Sequence, residues 1–188
     1  MSVITKNAIM DSLQTLLEEK PFVKITVKDI VENTGINRNT FYYHFDDIYD
    51  LLEQLFQREV DNTRISEMNH ENREEIFEEI FALCMKYRKG LNHIFESINT
   101  QRLCAYIRNV FIDGIHNYLN LNKDMNTLEP QSENFMINMV ADSMVGFFVY
   151  WGNSRFSPEL GRQRIQDINK VMPEILQIVG QRATAKKN

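Results

Sequence analysis

The chain has 188 residues, of which 43 % are hydrophobic, and its formal net charge is −5. This length can hold one sizeable core or two small helical units, and no stretch rich in Ser, Gly and Pro marks a linker. Cys84 and Cys104 lie in apolar helical patterns without metal-ligand spacing, which argues against a metal or redox site. The chain has no run of about 18 apolar residues and no charged leader with a cleavage site, so we expect a cytoplasmic protein with no membrane partner.

The first predicted element is a helix over residues 4–19, where apolar residues recur every three or four positions until Lys20-Pro21. Residues 25–45 then predict two short helices separated by a glycine. Thr26 and Asp29 have the spacing of a capping box at the start of the first. Gly35 can adopt the left-handed conformation that ends a helix and redirects the chain. The second helix opens with Asn37, Arg38, Asn39 and Thr40, whose side chains suit base edges in a major groove.

The rest of the chain keeps the helical period. Further helices are predicted over residues 47–65, 72–88, 91–98, 103–120 and 132–153, and from Ser157-Pro158 onward with a kink at Pro173. We therefore predict an all-α protein of about nine helices. A three-helix domain with a helix-turn-helix is expected over residues 1–47, and a helical bundle over residues 48–188.

The segment Thr-Phe-Tyr-Tyr-His-Phe at residues 40–45 is much rarer than the bare order of helix, glycine and helix. Together with Thr26, Gly35, Arg38 and the following Leu51-Leu52, it resembles the amino-terminal DNA-binding domain of the TetR family of bacterial transcriptional regulators. The resemblance covers about the first third of the chain. It implies a homodimer that binds a palindromic operator in double-stranded DNA. It favours a repressor that a small apolar or amphipathic effector releases from the DNA.

The residue chemistry and the resemblance together give a set of expected DNA contacts, alternating with Phe41 and Phe45 as core anchors. The expected contacts are Thr26, Lys28, Asn37, Arg38, Asn39, Thr40, Tyr42, Tyr43 and His44. Asparagine also caps helices, and histidine at a helix end also interacts with the helix dipole. A structural role therefore stays open for the asparagines and for His44.

Charge argues in the other direction. Within residues 1–45 the bases Lys6, Lys20, Lys24, Lys28 and Arg38 are balanced by Asp11, Glu18, Glu19, Asp29 and Glu32, whereas phosphate contacts favour a basic surface. Asp46 and Asp47 follow, and Ile48 stands where many family members carry a lysine. An alternative therefore stays open, in which the fold serves a co-activator or adaptor that acts through a protein partner with little DNA binding of its own.

The carboxyl-terminal region is rich in aromatic and methionine residues, which suit an adaptable apolar effector site. The candidate lining residues are Phe81, Met85, Phe95, Cys104, Tyr106, Ile107, Phe111, Met136, Met139 and Phe147, with plain core packing as the alternative for each. Surplus apolar surface on the last two helices predicts a dimer interface, with completion of the monomer core as the alternative. The candidate interface residues are Phe148, Trp151, Ile165, Ile168, Met172, Ile175 and Val179.

An enzyme is not expected. The sequence has no Gly-rich phosphate loop, no nucleophile with a recognisable base and no carboxylate pair at metal spacing. The acidic residues over 74–79 are better explained as an exposed helix face. We therefore expect no catalytic residue, no metal and no cofactor.

Overall fold

The computed structural model describes residues 3–69, 71–97, 100–121 and 129–185. Within these ranges the chain forms nine α-helices and no β-strand, which confirms the predicted all-α class. The helices are α1 (Val3–Glu19), α2 (Val27–Thr34), α3 (Arg38–His44), α4 (Ile48–Asp61), α5 (Arg73–Lys86), α6 (Arg88–Phe95), α7 (Thr100–Leu121), α8 (Pro130–Asn153) and α9 (Pro158–Ala185). Short 3₁₀ turns at Phe22–Lys24 and Ile65–Glu67 lie in two of the connections.

The chain divides into two compact units. The amino-terminal unit comprises Met1–Asn62 and Tyr87–Thr100, so it contains α1 to α4 together with α6. The carboxyl-terminal unit comprises Thr63–Lys86 and Gln101–Asn188, and it contains α5 and α7 to α9. The amino-terminal unit is larger than the segment 1–47 that the sequence predicts as a domain, because α4 and α6 both pack on α1.

Helix α6 approaches the carboxyl-terminal end of α1 closely at Gly90. A Cβ atom at this position would lie 3.2 Å from Oε1 of Glu18 and 3.4 Å from Cβ of Leu17. The Gly90 N–H donates a hydrogen bond to Glu18 Oε1 at 3.3 Å, and Nδ1 of His93 lies 2.7 Å from the carbonyl oxygen of Leu17. These contacts make α6 part of the amino-terminal unit even though 24 residues assigned to the other unit, Thr63–Lys86, precede it.

The core of the carboxyl-terminal unit includes Trp151, near the end of α8. Its indole lies nearly parallel to the rings of Phe81 and Phe147, whose centroids are 6.1 and 5.8 Å away. Its Nε1–H donates to the carbonyl oxygen of Ser157 at 2.7 Å. Helix α9 passes directly over the indole at Gly161, where a side chain would collide with the ring. The residue is therefore enclosed by its own chain and is 4 % exposed.

The turn between α8 and α9 contains two consecutive left-handed residues, Arg155 with φ 54° and Phe156 with φ 48°. Neither is a glycine, so each conformation costs about 1 kcal/mol or more. The Phe156 side chain is fully buried, and its ring meets Trp151 edge-on at a centroid distance of 5.1 Å. Burial of this ring offsets the backbone cost.

Helix α8 also has an exposed apolar side. Phe135, Met139 and Tyr150 are 70, 48 and 56 % exposed, and their spacing places them on one helix face. Gly146 lies on the same face, with no atom within 4 Å of where its Cβ would be. By length and composition alone α8 could also cross a membrane, a test that core helices of soluble proteins pass as well.

Candidate DNA-binding site

The turn between α2 and α3 has the geometry that its sequence predicts. Gly35 adopts φ 70° and ψ 18°, and its N–H donates to the carbonyl oxygen of Val31. Asn37 then caps α3, because its Oδ1 accepts hydrogen bonds from the Thr40 N–H at 2.9 Å and from the Thr40 hydroxyl at 3.1 Å. Asn37 thus has the structural role of a helix cap, and its Oδ1 is already engaged in hydrogen bonds to Thr40. Thr40 is half-buried with its hydroxyl engaged in the same contact.

The start of α2 is a complete capping box. The Thr26 hydroxyl accepts from the Asp29 N–H at 3.2 Å, while Asp29 Oδ2 accepts from the Thr26 N–H and from the Thr26 hydroxyl at 2.7 Å each. Lys20 adds an ion pair to the other carboxylate oxygen at 2.9 Å. The hydrogen bonds from Thr26 and the contact with Lys20 lower the pKa of Asp29 from 3.8 to about 2. The hydroxyl of Thr26 therefore caps α2, although the residue is exposed.

The outer face of α3 is exposed, and its inner face is buried. Phe41 and Phe45 are 0 and 2 % exposed, and their rings lie 5.8 Å apart in the core of the unit. Arg38 and Asn39 are exposed in the first turn, and their side chains make no hydrogen bond or ion pair with the described residues. Tyr42 and Tyr43 are 55 and 65 % exposed. The outer face of α3 therefore carries the side chains of Arg38, Asn39, Tyr42 and Tyr43. We call these four side chains the α3 face.

Two other residues that the sequence predicts as DNA contacts, Lys28 and His44, interact with neighbouring side chains of this chain. Nζ of Lys28 lies 3.6 Å from Oε1 of Glu32 in an i, i+4 ion pair. Because both side chains are exposed, the Lys28 ammonium stays in solvent. His44 is half-buried, and its Nε2 is buried without a hydrogen-bond partner among the described residues. Its ring packs edge-on against Tyr43 at a centroid distance of 5.0 Å. Because Nε2 faces the interior, it is not positioned to bind a phosphate in this structure.

The acidic residues after α3 have local structural roles. Asp47 caps α4, and its Oδ1 accepts from the N–H groups of Tyr49 at 2.7 Å and Asp50 at 2.8 Å. Asp50 in turn accepts from the N–H of Asp46 at 2.9 Å. An anion at a helix amino terminus is stabilised by the helix dipole. These contacts account for the carboxylates of Asp47 and Asp50 without a role in recognition, whereas Asp46 contributes only its backbone N–H.

A polar link between α1 and α2 was not predicted from the sequence. Ser12 is 4 % exposed, its hydroxyl lies 3.5 Å from the carbonyl oxygen of Ile30, and it accepts from Nδ2 of Asn33 at 3.0 Å. The signal in the sequence is a polar residue next to Leu13 on the buried side of the α1 period. This link holds the helix that precedes the recognition helix on α1.

The residues predicted to line an effector site are divided between the two units. Phe95 lies on α6 in the amino-terminal unit, whereas the others lie in the carboxyl-terminal unit. Phe81 and Phe147 flank the same indole, while Met136 belongs to a separate core cluster, and Met139 is 48 % exposed. The remaining candidates, Met85, Cys104, Tyr106, Ile107 and Phe111, are half-buried. Burial raises the pKa of the Cys104 thiol, and it raises that of Cys84 to about 12.

The predicted dimer residues also divide into groups. Trp151 and Ile165 are 4 and 8 % exposed within the single chain, which leaves little of either for a partner copy. Phe148 and Ile168 are half-buried. Met172, Ile175 and Val179 lie on α9 outside the residues whose side chains the structure describes. The large exposed apolar side chains of α8 are instead Phe135, Met139 and Tyr150.

The capped helices α2 and α3, with the outer face of α3 exposed, form a helix-turn-helix, an architecture typical of DNA-binding domains. Residues 9–55 match the family model of the bacterial regulatory proteins, tetR family. The HTH-type transcriptional regulator EthR of Mycobacterium tuberculosis is 29 % identical over 96 residues, which are 50 % of this chain and 42 % of EthR. EthR of Mycolicibacterium smegmatis is 38 % identical over 55 residues, or 27 % of this chain and 25 % of that protein. These matches show that the amino-terminal part of the chain, residues 9–55, is similar to the helix-turn-helix domain of the TetR family of bacterial regulators.

The fold likeness extends over nearly the whole chain. The solved structure of the dihydroxyacetone kinase operon activator DhaS matches with a TM-score of 0.64 and covers 96 % of this chain and 98 % of DhaS. At 15 % sequence identity this likeness concerns the fold alone. In sequence, the matches to the EthR proteins span less than half of the length of those relatives.

Proposed function

We infer that this protein is a cytoplasmic homodimeric repressor without enzymatic activity. It binds a palindromic operator through α3 and leaves it when a small apolar or amphipathic molecule binds the carboxyl-terminal unit. The observation that carries this proposal is the α3 face, where exposed Arg38, Asn39, Tyr42 and Tyr43 lie outside the buried anchors Phe41 and Phe45.

The chemistry of the α3 face fits DNA better than it fits a protein partner. Arg38 is the first residue of α3, exposed, and free of ion pairs with the described residues, so its guanidinium can pair with both acceptors of a guanine. Asn39 can pair with adenine, and the Tyr42 and Tyr43 hydroxyls can bind phosphate oxygens. The occupied Oδ1 of Asn37 and the occupied hydroxyl of Thr26 support structural roles for those two residues instead.

The dimer is supported by the exposed face of α8. Phe135, Met139 and Tyr150 leave apolar surface in solvent, and the bare backbone at Gly146 allows a second helix to approach closely. In a dimer, two recognition helices about 34 Å apart would enter successive major grooves on one side of a palindrome. Light scattering should give twice the 22.2 kDa chain mass. Tyr150→Glu should shift the protein toward the monomer, and a monomeric wild type would contradict the dimer.

Release follows from a difference in affinity. In one conformer the recognition helices fit the operator, and in the other they do not. The effector must bind the second conformer more tightly than the first, by a few kcal/mol of binding free energy. Movement of α4 is the expected route, because α4 joins the DNA-binding unit to the rest of the chain at Asn62. DhaS, which shares this fold, is described as an operon activator, so a promoter-reporter assay must decide the sign of regulation here.

The test begins with duplexes that the wild-type protein selects from a random-sequence library at low salt. Arg38→Ala should weaken binding to the selected duplex by about 1–3 kcal/mol, measured by fluorescence anisotropy, and should leave the dimer intact. Lys89→Ala is a matched control, since it removes one exposed positive charge from α6 of the same unit. Equal affinity of wild type and Arg38→Ala would contradict the assigned role. Failure of the wild type to select any duplex would favour the adaptor alternative.

A further inference from the structure

A fork of hydrogen bonds from Arg58 joins the carboxyl-terminal half of α4 to α1. We propose that Arg58 is a positioning residue for operator binding, which holds the end of α4 on α1 and thereby sets the direction in which the chain leaves the DNA-binding unit. The operator role rests on the proposed function, whereas the contact itself does not. All the groups involved lie within the amino-terminal unit.

All three nitrogens of the Arg58 guanidinium are engaged. Nη1 donates to Oδ1 of Asp11 at 2.6 Å, and Nη2 donates to Oε1 of Gln14 at 3.2 Å, so two successive turns of α1 are held. Nε and Nη2 also donate to Oε1 of the neighbouring Glu59 at 3.3 and 3.2 Å. The Arg58 and Glu59 side chains are 21 and 15 % exposed, so the fork is largely shielded from solvent on the α4 side. A planar guanidinium can make this set of bonds, whereas a lysine ammonium cannot.

The buried side chains of α4 all lie within its first eight residues. Leu51, Leu52 and Leu55 are buried, and no later residue of α4 is buried. The fork at Arg58 therefore adds a directional polar contact beyond the last buried leucine, in a segment where Phe56 and Val60 are half-buried. Asp61 is the last residue of α4, and the amino-terminal unit ends at Asn62. The last turn of α4 thus determines the direction of the chain at that end of the unit.

The size of the effect follows from helix geometry. The 14 residues of α4 span about 21 Å at about 1.5 Å per residue. A tilt of about 10° over that length displaces the helix end by about 4 Å, which is close to the rise of about 3.4 Å per base pair along one strand. A small change in the angle of α4 can therefore correspond to a displacement of about one base pair for each protomer.

The variant that tests this proposal is Asp11→Asn combined with Gln14→Ala. It weakens the α1 side of the fork and leaves the Arg58–Glu59 pair intact, whereas Arg58→Ala would leave the shielded Glu59 carboxylate without its partner. Glu19→Gln is the matched control, because it also removes one carboxylate from α1, at an exposed position outside the fork.

Two measurements use the 188-residue chain. In the first, the half-sites of the selected duplex are moved apart or together in single base-pair steps. We expect the double variant to bind about threefold to tenfold more weakly at the best spacing and to change less than about twofold at the others, so that the profile flattens. In the second, hydrogen exchange without DNA should be about threefold to tenfold faster in the last turn of α4 and unchanged at Ile30 and Val31.

Each outcome has a defined meaning. A uniform loss of affinity at all spacings would show that the fork only stabilises the fold and would overturn the positioning role. Unchanged exchange in the last turn of α4 would overturn the fork itself. If the wild type selects no duplex, the proposed function and the operator role of Arg58 fail together, while the exchange measurement still decides whether Arg58 holds α4.

Discussion

Gly161→Ala should destabilise the carboxyl-terminal unit, although the same change stabilises most helix interiors. A Cβ atom at Gly161 would lie 2.4 Å from Cζ2 and 2.7 Å from Cε2 of Trp151, and 3.0 Å from Cε2 of Phe81. Carbon atoms in contact lie about 3.5–4.0 Å apart, so the new methyl group would overlap the indole by about 1 Å or more. The ring cannot move away easily, because Phe147 stacks on it and Ser157 holds its Nε1.

The expected magnitude is a balance of two terms. Overpacking a close-packed core costs about 1–3 kcal/mol, and the upper end applies here because the nearest atom belongs to a rigid, enclosed ring. Replacing glycine by alanine within a helix returns about 1 kcal/mol. The free energy of unfolding should therefore fall by about 2 kcal/mol.

Urea unfolding at a fixed protein concentration measures this change. Gly114→Ala on α7 is the matched control, because its Cβ would meet only Cγ2 of Ile65, at an ordinary 3.6 Å. That variant should be unchanged or more stable by up to about 1 kcal/mol. Trp151→Leu should offset part of the cost in a double-mutant cycle with Gly161→Ala, since it removes the atoms in conflict. A Gly161→Ala protein as stable as Gly114→Ala would refute the close approach of α9 to the indole.

Three further predictions concern local structure. Asn37→Ala should lower the free energy of unfolding by about 1 kcal/mol. Asn37→Asp should keep most of the stabilisation from the cap, because the cap needs only an acceptor oxygen. An equal loss of stability in both variants would contradict the capping role. The folded-state pKa of Asp29 lies below its ordinary value of 3.8, so its stabilisation is present above about pH 4 and is lost as the pH falls toward 2; urea titrations should show Asp29→Asn without this loss. Arg155→Gly should be about 1 kcal/mol more stable than Arg155→Ala, because both variants lose the side chain but only glycine relieves the positive φ; equal stability would show that the turn is unstrained.

Features determined by a few neighbouring residues were predictable. The capping box at Thr26, the left-handed Gly35 and the alternation of Phe41 and Phe45 with exposed residues are all found as the sequence predicts. Asn37 is instructive, because its residue type allows both base contact and a cap, and only the geometry of the Thr40 contacts shows the cap.

Features determined by helix packing were not predictable in the same way. The sequence predicts Trp151 as an interface residue because α8 is apolar on most sides, but Gly161 lets α9 cover it within one chain. In the sequence, Ser12 interrupts the apolar period of α1. Only the structure shows why a polar residue is buried there, because its hydroxyl contacts the carbonyl oxygen of Ile30 and Nδ2 of Asn33.

The sequence by itself determined that this chain is helical, where most helices lie, and that α3 carries a DNA-recognition pattern, because caps, glycines and apolar periods act within about one or two turns. The tertiary structure decided which faces meet. It assigned α6 to the amino-terminal unit through Gly90 and His93, engaged Arg58 with α1, and left Phe135 and Tyr150 of α8 exposed. These outcomes depend on contacts between residues far apart in the chain, and an apolar residue at helical spacing carries no local signal of the surface that will cover it.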